Sequence, residues 1–319
     1  MVRKWIVFFL PAVILIPFSA PAGENANFLH REAPDSVGGL FYNAGVPVKS
    51  RIRLLNYSAM GLYAVSMSWL NTQWYKEYPR SSFHFFNDNS EWEQMDKFAH
   101  AWDAYNIAKP LYRSYRWAGL DNKKSVLYGA GIAFLFQSSV EVFDGFSSQW
   151  GFSGGDMLAN LLGLGLFTGQ QLRWMEQRIS LKFSFHQTQY AQYRPDLLGK
   201  NLPENILKDY NGLTHWVIVN PASFFKNSGF PRWLSFAFGF GAEGMTGGKE
   251  NPVRVDGRPI PVFERYKQYY FSLDVELYRI PVRSKFLSSA FRLINIIHLP
   301  APAVEWSPGR RTVYRLFYF

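Results

Sequence analysis

Gly151-Phe-Ser153-Gly-Gly-Asp156-Met-Leu-Ala-Asn160-Leu-Leu-Gly163 is the stretch on which the reading of the fold turns. A serine followed three residues later by an acid, ahead of an apolar run, marks a helix start in which the side chain of the first caps the backbone of the second. A helix is therefore expected from Ser153 to about Arg178, with Asp156 and Asn160 one turn apart on one face. Upstream, Asp121 is a candidate cap for a helix over 126–143, which carries Glu141 and Asp144 at i,i+3. Before it, the pattern predicts a helix over 92–116 with Asp96 and His100 at i,i+4, and Pro110 should kink it or begin a new one. A first helical pattern covers 51–75 and is uncharged between Leu54 and Trp74. Four helices of this length predict a bundle.

After about Ser180 the apolar period changes from that of a helix to that of a strand. Lys182-Phe-Ser-Phe-His186 and Ser235-Phe-Ala-Phe-Gly-Phe-Gly241 alternate. Ser272-Leu-Asp-Val-Glu-Leu277 separates Leu273, Val275 and Leu277 from Ser272, Asp274 and Glu276. An antiparallel sheet with one wet face is the expectation. One amphipathic helix is expected over 284–297, with Phe286, Ala290, Leu293 and Ile297 on a stripe. The tail Arg311-Thr-Val-Tyr-Arg-Leu-Phe-Tyr-Phe319 resembles the last strand of outer-membrane barrels, with Val313, Phe317 and Phe319 on a face that Arg315 interrupts. About five strands are legible, fewer than the eight of a minimal membrane barrel. The fold class is α+β. Its expected parts are a signal peptide at 1–22, an irregular entry at 23–50, a helical bundle at 51–179 and a β-rich region at 180–319.

Of the 319 residues, 48% are hydrophobic and 18% aromatic against only 18% charged, a lean charge fraction that suits surfaces with one apolar and one wet side. The net charge of +10 favours anionic surfaces. Nucleic acid is set aside because the basic residues are scattered and form no recognition helix, zinc knuckle or aromatic RNA-binding signature. The expected partner is membrane lipid or an outer-membrane protein. The absence of cysteine excludes disulfides, thiolate metal sites, a thiol nucleophile and a lipoprotein acceptor. Arg3 and Lys4, an apolar run from Trp5 to Phe18 and Ala20-Pro-Ala22 read as a cleavable leader, so the mature chain is expected to begin at Gly23, outside the cytoplasm. An uncleaved anchor is the other reading, against which the run is short and holds Pro11 and Pro17.

The polar positions Asp96, His100, Glu141, Asp144, Asp156 and Asn160 fall on same-face spacings of three successive helices. If the faces converge, they form one constellation inside an apolar bundle, where unpaired ionisable groups are costly. Carboxylates and an imidazole on facing helices are also how bundles hold divalent metals, with Asp96, His100, Glu141, Asp144 and Asp156 as candidate ligands. His100 or Glu141 would then be the candidate base toward a metal-bound water. The alternative is a structural network of caps and pairs, such as Asp96 with Lys97 and Asp156 with Ser153. No G-x-S-x-G elbow, Walker loop, dinucleotide fingerprint or H-E-x-x-H helix is present. His186, His215 and His298 are expected to pack or hydrogen-bond.

Three motifs in order, Asp96-Lys97-Phe-Ala-His100, Glu141-Val-Phe-Asp144-Gly145 and Gly151 to Gly163, resemble the YfiM-like family of predicted periplasmic lipoproteins, domain of unknown function 2279. More distantly the pattern is similar to VanZ-type membrane proteins. The resemblance spans about residues 90 to 170. It implies an envelope address and a helical fold, and supplies no reaction. The expected function is that of an exported periplasmic or outer-membrane-associated protein whose constellation has a structural or binding role. The alternatives are a metal-assisted, membrane-proximal hydrolase or transferase and a VanZ-like integral inner-membrane protein.

Overall fold

The computed structural model describes residues 43–72, 79–255 and 257–319. The leader, nearly all of the entry segment and the expected end of the first helix lie outside the described residues. Helix α1 spans Lys49–Leu70. Helix α2 spans Met95–Trp117, and Pro110 lies inside it without starting a new helix. Its start falls three residues later than the apolar pattern implies, because Trp92, Glu93 and Gln94 take left-handed backbone angles in the preceding turn. Helix α3, Asn122–Gly145, opens on Asp121, whose side chain accepts from the Lys124 amide. Helix α4, Gly154–Trp174, opens on Ser153, whose side chain accepts from the Asp156 amide. It stops short of Arg178 at a left-handed Met175. There the Gln170 side chain takes up the amides of Arg178 and Ile179 and turns the chain into the sheet.

Helix α2 is the centre of the bundle, packed on both α3 and α4 and on the first strands of the sheet. Its crossing with α4 is close because Gly163 lies on the Ala101 carbonyl: a Cβ there would sit 2.1 Å from that oxygen. Gly163→Ala should therefore push the two helices apart at a cost of about 2 kcal/mol, measured by chemical denaturation. A cost under about 0.5 kcal/mol would show that the crossing tolerates the methyl group. The outward faces of the other helices stay apolar, with Leu54, Tyr57 and Met60 on α1, Leu127 and Leu135 on α3, and Leu158, Leu161 and Leu162 on α4 exposed. Among the described residues, α3 is the one helix long and apolar enough by length and composition to cross a membrane.

The sheet is antiparallel with order β1-β2-β3-β6-β7-β8. Its strands are β1 Ile179–Phe185, β2 Leu213–Val219, β3 Leu234–Glu243, β6 Tyr266–Val275, β7 Ala301–Trp306 and β8 Val313–Tyr318. The two-residue strands β4, Arg254–Val255, and β5, Arg258–Pro259, form a separate hairpin. The sheet curls so strongly that strands far apart in its order touch across its concave side. Tyr318 on β8 lies 2.9 Å from the Thr214 hydroxyl on β2, and Lys182 on β1 lies 2.6 Å from Asp274 on β6.

This curl reverses the expected polarity. Ser272, Asp274 and Glu276 do share a face, but that face is the buried concave one, together with Ser180, Lys182, Ser184, Thr214, Gln268 and Glu305. The opposite, convex face carries Phe236, Phe238, Tyr269, Phe271, Leu273 and Trp306, all of them exposed. Alternation reports that two faces differ in polarity, and only the sense of curl decides which one is inside. The narrow interior holds hydrogen-bonded charges, a buried cluster of Trp216, Ile218, Tyr270 and Tyr318, and small residues. Gly239 is one: a Cβ there would meet the Trp216 ring at 2.8 Å. Toward β1 and β2 the convex face is covered by α2, where Trp102 meets Phe183 and Phe98 stacks on Phe240. On that covered side, burial lowers the pKa of His215 to about 3, which keeps the ring neutral.

Two further expectations are corrected here. The amphipathic helix α5 runs over Lys285–Ile294 and does not reach Ile297. The Asn295 side chain turns inward to accept from the Leu277 amide, and 296–298 then extend beside the free edge of β1. The last strand does not keep one apolar face either. A bulge between Ala301 and Ala303 shifts its register, so Tyr318 enters the concave interior while Leu316 and Phe317 are both exposed. Arg315 is paired with Glu305.

A candidate polar site between three helices

The N-terminal turn of α2, the C-terminal part of α3 and the N-terminal turn of α4 meet at one end of the bundle. Each presents a polar side chain of the expected constellation. Asp96, Glu141, Asp156 and Asn160 are essentially fully buried, and His100 is largely so. The hub is Lys97. Its ammonium lies 2.6 Å from Asp88 Oδ1, 2.6 Å from Asp156 Oδ1 and 3.0 Å from Asp96 Oδ2. The three contacts use the three donors of an ammonium group. Ser153, besides capping α4, donates to Asp88 Oδ1 at 2.6 Å.

His100 forms the other half of the site. Its Nδ1 is 3.3 Å from Asn160 Oδ1, and its Nε2 faces Asp156 Oδ2 at 3.6 Å and Glu141 Oε1 at 3.8 Å. Asp156 thus divides its two oxygens between Lys97 and His100. Glu141 does the same, with Oε2 accepting from the Ser153 amide at 3.3 Å. Two sets of three ligand atoms gather within 4.8 Å of one another: His100 with Glu141 and Asp156, and Asp88 with Asp96 and Asp156. In the second set the Lys97 ammonium bonds one oxygen of each carboxylate, which is the place of a cation. Asp144 is buried one turn beyond Glu141, but its carboxylate is in neither set.

Five of the six positions singled out from the sequence therefore stand together. Asp88 and the central role of Lys97 were not legible. Asp88 lies in Asn87-Asp-Asn89-Ser90, whose composition reads as a solvated turn, and a lysine next to Asp96 reads as a surface partner. The loop in fact folds over the start of α2. Phe86 pairs with Phe152, and the main chain of Trp92 donates to Gly248 from the β-rich region. Asp88 is thereby left with no exposed side-chain surface. Of the remaining histidines, His298 bonds Asp274 at 2.9 Å and stacks on Trp216, inside the sheet and away from this cluster.

Neither the curated proteins nor the solved structures include a match to this chain. A family model does match, over residues 84–168, and that interval contains Asp88, Asp96, Lys97, His100, Glu141, Ser153, Asp156 and Asn160. The segment that builds the polar site thus matches the model of the family described as predicted periplasmic lipoprotein (DUF2279), and the match stays within residues 84–168 of the 319.

Proposed function

We propose that this is an exported envelope protein that lies against a membrane with the convex aromatic face of its sheet, while the polar cluster ties the three helices together and serves as a binding site. The observation that carries the reading is the polarity of the sheet. Buried charged and hydroxyl side chains share its interior with a small aromatic cluster, and Phe236, Phe238, Tyr269, Phe271, Leu273 and Trp306 face outward side by side. Water favours the reverse arrangement, whereas acyl chains, with an interfacial Trp and Tyr, favour this one. The periplasmic description of the family, the leader-like N-terminus and the basic balance suit the same address. An outer-membrane position fits an apolar sheet face better than a purely helical inner-membrane arrangement does.

Co-flotation of the purified chain with vesicles of phosphatidylethanolamine and phosphatidylglycerol tests this. The wild type should float. Replacing Phe238, Phe271 and Trp306 together by Ser should cut the bound fraction at least tenfold with an unchanged circular dichroism spectrum, since each exposed aromatic group contributes on the order of 1.5 kcal/mol or more on entering an apolar phase. A wild type that stays with the aqueous fraction, or a triple variant that floats equally well, would remove the reading.

A further inference from the structure

The pairing pattern around His100 carries more than a network of caps. His100 Nδ1 lies 3.3 Å from Asn160 Oδ1, and that contact turns Nε2 toward Asp156 Oδ2, 3.6 Å away, and Glu141 Oε1, 3.8 Å away. Both distances are too long for hydrogen bonds. Three electron-rich atoms thus converge from three helices, and each is held from behind. Nδ1 is fixed by Asn160, Asp156 Oδ1 by Lys97, and Glu141 Oε2 by the Ser153 amide. Their ligand atoms gather within 4.8 Å of one another.

The geometry points to a divalent cation site made by His100 Nε2, Glu141 Oε1 and Asp156 Oδ2, with Asn160, Lys97 and the Ser153 amide as the groups that orient the ligands. A cation bound at about 2.0–2.2 Å to each of three ligands sets those ligands roughly 3–4 Å apart, and His100 Nε2 lies 3.6 and 3.8 Å from the two carboxylates. One imidazole nitrogen with two carboxylate oxygens suits a first-row ion such as Zn²⁺ or Mn²⁺ better than Mg²⁺, which prefers an all-oxygen, largely hydrated shell. Three protein ligands leave a coordination position for water or a ligand's oxygen. His100 and Lys97 are the members of the cluster that retain some exposure, so the open side lies next to them.

A second observation also points to a ligand. The Asn160 side chain is buried, and its amide nitrogen meets no acceptor among the described residues. A water or ligand oxygen on the cation would supply one. Lys97 completes the electrostatics. It neutralises the Asp88 and Asp96 side of Asp156, which leaves the opposite oxygen of Asp156 and Glu141 as the acidic pair for the cation.

This inference is independent of the lipid reading, and its test is made in detergent-free buffer with the full chain. Co²⁺ and Zn²⁺ titrations of chelator-treated protein should show saturable binding of one ion per chain. Visible d–d absorption should appear with Co²⁺, and the melting temperature should rise with Zn²⁺. His100→Ala and Glu141→Gln should each weaken the Co²⁺ signal at least a hundredfold while the far-ultraviolet spectrum is retained. Asn160→Ala should weaken it about 10–100-fold, as loss of an orienting partner does. Should those variants fail to fold, pulsed electron paramagnetic resonance of the wild type loaded with Mn²⁺ decides, because a coordinated imidazole couples its nitrogen to the ion. No saturable binding, binding unchanged in both ligand variants, or no nitrogen coupling would overturn the assignment.

Discussion

Lys97→Met should destabilise the protein by about 3–5 kcal/mol, the cost of stranding buried carboxylates after one partner of an ion network is removed. The methionine keeps the length of the stem and removes the charge that Asp88, Asp96 and Asp156 share at 3.0 Å or less. None of the three has more than 1% of its side chain exposed, so water does not replace the ammonium. Urea denaturation measures the loss. A loss below about 1 kcal/mol would mean that other groups hold the three carboxylates.

A second outcome of the same variant separates the halves of the site. Asp156 carries both, one oxygen on Lys97 and the other facing His100. Without the lysine, its carboxylate loses the contact that aims the second oxygen at the imidazole. Lys97 thus places a cation fixed in the chain on one side of Asp156, and the other side presents His100, Glu141 and the second Asp156 oxygen, the group proposed above to hold a divalent ion.

How much of this was legible follows from which physical signals are local. The caps at Asp121 and Ser153 are local, because a side-chain oxygen and an amide two or three residues on suffice, and both stand where the sequence puts them. The face-sharing of Asp96 with His100 and of Asp156 with Asn160 is equally local. The convergence of those faces rests on Gly163, which the motif contains and whose contact with Ala101 sets the helix crossing. Asp88 was hidden because its burial comes from a loop folding back over α2, a tertiary event with no periodic trace. The sheet was half legible. Strand positions and the two-faced alternation follow from a period of two, whereas the sense of curl depends on contacts such as Tyr318 with Thr214 between strands 104 residues apart. The helix expected over 284–297 was too long for a similar reason: Asn295 is taken by Leu277, Lys182 and Glu276, partners that no local pattern announces.

The concave interior of the sheet sets the other large effect. Asp274 accepts from Lys182 Nζ at 2.6 Å through one oxygen and faces His298 Nδ1 at 2.9 Å through the other, and all three side chains are fully buried. Lys182 also donates to the Val275 carbonyl at 3.1 Å and to Asn295 Oδ1 at 3.3 Å, which ties β1, β6 and the end of α5 to one ammonium. Asp274→Ala should cost about 3–5 kcal/mol, because the remaining contacts of Lys182 are neutral and leave its charge uncompensated in the interior. Replacing the whole pair, Lys182→Met with Asp274→Leu, should recover most of that loss, since an apolar pair of similar volume needs no compensation. The coupling read from the double-mutant cycle should therefore be large and of the sign that makes the double variant more stable than the Asp274 single variant. If the double variant is no better than Asp274→Ala, the ammonium is needed for its bonds to Val275 and Asn295 rather than for its partner charge. A single variant within about 1 kcal/mol of wild type would instead mean that water reaches Lys182, and the closed curl described above would be wrong.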